Sequence, residues 1–143
     1  MRPPRPSADT LAAGLAGALL AGLPSTIYTL WRGEDVLEGA RAAGSIALGP
    51  RAPGPALIAA AVPVHLALSL GWAAALARVA PRGRELPACV AGALAVAALD
   101  LEVIGRRLPR IRALPQGRQW ADHVAFGAVV GAVLAARRRA RAA

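Results

Sequence analysis

Lysine is absent from this 143-residue chain, cysteine occurs once, aromatic residues make up 3% and charged residues only 17%. Each shortage excludes something. A lone Cys89 can form neither an intrachain disulfide nor a cysteine-rich metal site, and within an apolar run it reads as a small packing residue. The few aromatics provide no stacking set for bases, and no basic fold module accompanies the formal charge of +9, so nucleic acid is not an expected partner. Neither a nucleophile elbow, a P-loop nor a dinucleotide fingerprint is present, so no catalytic residue and no cofactor is assigned. What remains is apolar. With 56% hydrophobic residues and a mean hydropathy of +0.46, the composition does not fit an ordinary soluble domain.

Four apolar stretches are long enough to cross a bilayer, at about residues 10–31, 55–80, 86–104 and 119–136. The expected fold is all-α: a four-helix transmembrane bundle forming one integral membrane domain over 1–143, with a basic tail at 137–143. Arg2 and Arg5 ahead of Leu11–Leu23 also resemble the start of a secretory signal. Against that, small residues suited to cleavage are poorly placed, and Ile27–Trp31 continues the apolar run. Between spans one and two, residues 34–48 begin after Gly33 and end before Gly49 and Pro50, which are helix start and stop signals. Val36, Ala40, Ala43 and Ala47 share one face there, which suggests a short amphipathic helix at the interface.

Arginine use without lysine, together with abundant Ala and Gly, points to a high-GC bacterial genome and hence to the cytoplasmic membrane, with the lipid bilayer as the first partner. The arginines sit at span ends, where anionic headgroups attract them. If both termini share a side, that side holds nine arginines and the other eight, so their count does not set the orientation. The dense cluster Arg137, Arg138, Arg139 and Arg141, with no acid nearby in sequence, favours cytoplasmic termini.

Lipid tails provide no hydrophobic drive between helices, so small residues must let backbones approach. Gly14 and Gly17 in span one, Gly92 in span three, and Gly127 with Gly131 in span four are the expected contact points, within one bundle or in a homodimer. Pro24 interrupts span one and predicts a kink whose freed backbone groups nearby hydroxyls can satisfy.

Polar side chains inside the spans fall in one half of the bilayer. Ser25 and Tyr28 lie late in span one, His65 and Ser69 in span two, Asp100 late in span three, and Asp122 and His123 early in span four. Charges at that depth cost roughly 2.5–3.5 kcal/mol each and need partners. Glu102 has Arg106 four residues on, and Asp122 follows Arg118 by four in what reads as a first helical turn; both suggest local, structural roles. Asp100 has no such arginine, and His123 is in register with Gly127 and Gly131. His65, Asp100 and His123 are therefore expected to meet, forming a site able to bind and release a proton. Two histidines and one carboxylate also suit a divalent ion, but no tight ligand motif such as HExxH accompanies them, so no metal is assigned.

His65-x-x-x-Ser69, Pro81 after it, Ala91-Gly92-Ala93-Leu94-Ala95 in the next span and His123 early in the last are similar to the pattern of the YagU-like family of small bacterial inner-membrane proteins. The resemblance covers about Val64 to Gly131 and implies a link to acid tolerance. From the residues themselves two functions follow: handling of a proton, ion or small solute at the polar site, or service as a structural or assembly subunit of a larger membrane complex.

Overall fold

The computed structural model describes residues 7–142, and among them every regular element is helical. Ser7 starts the first helix, α1 (Ala8–Leu20), by accepting the Thr10 N–H at 3.3 Å. The chain then breaks at Gly22 and restarts as α2 (Leu23–Arg32). Pro24 explains the restart: it lacks an N–H, but in the first turn of a helix none is needed. The expected kink is thus a break two residues earlier. Gly33, at φ 66°, ends α2 in the left-handed conformation that glycine adopts without strain.

A short helix, α3 (Glu38–Leu48), leads into α4 (Gly54–Val79). The next helix, α5 (Glu85–Ala97), runs on through a π-helical segment, Ala98–Ile104, and a 3-10 turn, Gly105–Arg107. One helical turn, α6 (Pro109–Ala113), precedes α7 (Gln116–Ala140). Four helical stretches are long and apolar enough to cross a membrane: Ala8–Arg32, Gly54–Val79, Glu85–Arg107 and Gln116–Ala140. Their outward faces carry large apolar side chains, with Leu19 80% and Val79 70% exposed, a surface suited to lipid rather than water. The chain is a multi-pass membrane protein.

Helix ends run further than hydropathy alone marks, because backbone bonding continues past the last apolar residue. Arg137, Arg138 and Arg139 lie in the final turn of α7, so the expected basic tail is largely helix. Asp122 lies beyond the first turn, since α7 begins at Gln116.

Within the bundle α1 lies between α4 and α7, and α7 lies between α1 and α5, whereas α4 and α5 touch only briefly. Glycines explain the close pairs. A Cβ on Gly127 would fall 2.5 Å from the Cys89 carbonyl oxygen, and one on Gly131 2.7 Å from the Leu86 Cα, so the α5–α7 seam is backbone on backbone. Gly14 meets Leu70 and Ala73 of α4, Gly17 meets Phe126 and Val130 of α7, and Gly92 meets Leu76. The tightest approach is one that spacing alone does not reveal: a Cβ on Gly44 would overlap the Leu57 carbonyl oxygen, which binds α3 to the start of α4. The face α3 turns inward is Ala42 and Ser45, with Val36 ahead of the helix and Ala47 exposed, so its buried stripe differs from the one read from spacing. Close backbone approach at Gly44, rather than apolar periodicity, selects that face.

At the end shared by both described termini, the carboxylates have arginine partners. Asp9, almost fully buried, accepts from Arg137 Nε at 2.7 Å and Arg141 Nη2 at 2.9 Å. Arg138 donates to the Ala77 and Ala80 carbonyls at the end of α4 and to buried Glu85 at 3.2 Å. The C-terminal arginines, with no acid nearby in sequence, thus have acid partners in space. Tertiary contact brings Asp9 and Glu85 to them across more than fifty positions of chain.

Gly127→Leu should destabilise the detergent-solubilised protein by about 1–3 kcal/mol through overpacking. Gly71→Leu, where nothing lies within 4 Å, should leave the melting midpoint nearly unchanged. Equal midpoints for the two variants would remove the α5–α7 seam as the source of rigidity.

Candidate functional site

Where α4 and α5 diverge, a cavity of about 260 Å³ opens. Its walls are apolar, with Leu68, Val96, Leu101, Ile104 and Phe126 prominent, while His65, Ser69, Asp100, Gln119, Asp122 and His123 supply polar atoms. Six of these groups on three spans thus share one space. Ser25 and Tyr28, also expected there, do not line it.

The π-helical segment places Asp100. Its wider turn closes with the Gly105 N–H donating to the Asp100 carbonyl, and a Cβ at Gly105 would sit 2.6 Å from that oxygen. The Asp100 carboxylate accepts from the Trp72 indole N–H at 3.2 Å and lies 3.6 Å from His123 Nε2. His123 is held from its other side, because Nδ1 lies 2.8 Å from the Gln119 carbonyl, which can only accept. That contact places a proton on Nδ1. Nε2 is then the ring atom that faces the Asp100 carboxylate. At 3.6 Å the contact is longer than a direct hydrogen bond and is an ion pair only when the ring is protonated.

His65 and Asp122 are employed differently. Both clasp the break in span one: His65 Nε2 donates to the Ala18 carbonyl at 2.9 Å, and Asp122 Oδ1 accepts the Ser25 backbone N–H at 2.9 Å. One group completes the end of α1, the other the start of α2, and a carboxylate at a helix N-terminus is favoured by the exposed N–H groups there. The Ser25 hydroxyl donates to Gly22 O at 3.2 Å. His65 thus shares the cavity with Asp100 and His123 but is occupied with backbone. Ser69 is buried in the cavity floor.

The local pairing suggested by Arg118 and Asp122 does not form. Arg118 reaches instead to Glu34, with contacts of 2.5 and 3.2 Å, and to Thr29 Oγ1 at 3.2 Å, while its guanidinium lies 4.3 Å from the centroid of the Tyr28 ring. Tyr28 is held outside the cavity by this cation–π contact and by the edge of Trp31. The hydrogen bond from Arg118 holds the Glu34 carboxyl below its ordinary range, and the bond from Arg41 does the same for Asp35. Glu102 pairs with Arg106 at 2.6 Å, as i,i+4 spacing suggests.

A second recess, of about 240 Å³, lies outside the first and is lined by Ser25, Thr26, Thr29, Glu34, Glu38 and Arg118 among others. Gln119 borders both. It is the one residue, among those described, that the hydroxyl-bearing recess and the larger cavity share. Gln119 is thus a site residue that polar position along the spans does not mark, while Trp72 shares a helix face with His65 and Ser69, and its bond to Asp100 is what the spacing does not give. Among the described residues no group of three His, Cys, Asp or Glu side chains is arranged to hold a metal ion. Comparison with protein-family models, curated proteins and solved structures finds no match.

Asp100→Ala should shift the Trp72 indole N–H proton resonance upfield, since it loses a charged acceptor, and leave Trp31 and Trp120 in place. An unmoved Trp72 signal would mean that the indole and the carboxylate do not meet.

Proposed function

We propose that this chain is a multi-pass protein of the bacterial cytoplasmic membrane that handles a proton, an ion or a small solute through the cavity holding Asp100 and His123. One observation carries the reading. A polar vestibule and the cavity meet at Gln119, so the Asp100–His123 pair lies one side chain away from a polar recess at the connection face. The pair binds and releases the proton, and Trp72 and the Gln119 carbonyl orient it. His65 and Asp122 keep the broken span in place beside it. The acid-tolerance role implied by the YagU-like resemblance fits a proton-binding pair.

A specific feature favours the alternative, a structural or assembly subunit of a larger complex. Toward the termini the bundle is closed, with Val130 and Leu134 fully buried and the Glu85–Arg138 bridge beyond them. A homodimer through the exposed apolar faces belongs to the same reading.

The two separate in liposomes. With the purified chain reconstituted and a pH gradient imposed, an internal pH dye should report proton entry well above that of empty vesicles, and Asp100→Asn should reduce it by roughly the 10²–10⁴-fold typical of losing a proton-transfer group. Proton and small-solute fluxes equal to those of empty vesicles would exclude transport and leave the subunit reading.

A further inference from the structure

We infer that the end of the bundle carrying the described termini holds a built site for one anionic phospholipid, in a groove between the α4–α5 turn and the last turns of α7. The groove has a volume of about 430 Å³ and is separate from the polar cavity. Two exposed arginines, Arg82 on the turn and Arg139 on α7, stand at its edge, and neither makes an ion pair or side-chain hydrogen bond among the described residues. Leu86, Pro87, Ala132 and Ala135 form its apolar side.

Charge and shape together select the ligand. The one acid in the groove, Glu85, is 5% exposed at its side chain and engaged by Arg138, so it does not cancel the two free guanidiniums. Arg138 is itself spent on Glu85 and on the Ala77 and Ala80 carbonyls. What remains for a ligand is a pair of fork-shaped cations, suited to bidentate contact with phosphate oxygens. Beside them lies an apolar channel of small side chains. A free phosphate would use only the arginines and a neutral lipid only the channel; a phospholipid with net negative charge uses both. Gly83, at φ 80°, makes the turn that presents Arg82. The groove also overlies the α5–α7 seam, since Leu86 and Glu85 are the residues that Gly131 approaches. A lipid bound there therefore reinforces the contact that closes the bundle.

The full chain in neutral detergent is titrated with phosphatidylglycerol, phosphatidylcholine or inorganic phosphate while its melting midpoint is followed. Phosphatidylglycerol should raise the midpoint, and the double variant Arg82→Gln, Arg139→Gln should weaken that response roughly tenfold or more in apparent affinity. Arg107→Gln with Arg112→Gln, which removes two exposed arginines from the other end, should respond like the unaltered protein. Ala132→Trp, which keeps both arginines but fills the channel, should also lose the response. Equal weakening in the two arginine pairs would reduce the effect to general charge attraction and overturn the site. So would an equal midpoint rise with phosphatidylcholine or with phosphate alone. Retention of the full response in Ala132→Trp would likewise rule out the acyl channel.

Discussion

Backbone contact at glycine is what the rest of this structure depends on. Between helices surrounded by lipid, close packing must replace the hydrophobic drive that assembles a soluble core. Gly127 and Gly131 place α7 directly on the α5 backbone, Gly14 and Gly17 seat α1 between α4 and α7, and Gly44 brings α3 onto α4. No comparable seam joins α4 to α5. The cavity opens there, and the polar residues of three spans face into it.

Polar groups obey a second constraint, since each one at membrane depth needs a partner. The chain meets it by exchange between helices. The backbone groups left over at the Gly22 break are taken by His65 and Asp122, the end of α4 is taken by Arg138, and Asp9 is shared by two arginines of α7. The same contacts act as fasteners at both ends of the bundle. Once they are assigned, Asp100 and His123 stand out: each has one orienting partner and faces the other. The supply of partners thus separates the groups that close backbone breaks or bind arginine from the pair that faces each other.

Much of this was legible along the chain. Span number and approximate position follow from apolar length, and the five packing glycines follow from small-residue spacing on helical faces. The gathering of His65, Asp100, Asp122 and His123 follows from threading the chain back and forth. Other features depend on where helices break and turn, which spacing does not encode. The π-helical turn at Asp100 changes the phase of span three, and the restart at Leu23 changes that of span one. Arg118 and Glu34 are 84 positions apart, so local spacing pointed instead to Asp122. Gly44 has Ala40 four residues before it, but the contact it makes is with the Leu57 carbonyl of another helix, which small-residue spacing does not identify.

A role for the Asp100–His123 pair in moving protons or solutes requires that water reach the pair while the adjoining seam stays dry. Water-edited solid-state NMR of the full chain in bilayers tests this directly, because it times the transfer of magnetisation from water to assigned sites. Signals of His123, Asp100 and Gln119 should build up much faster than those of Cys89 and Val130. Equally slow build-up at all five positions would show the pair to be sealed, and would contradict a role in moving protons or solutes.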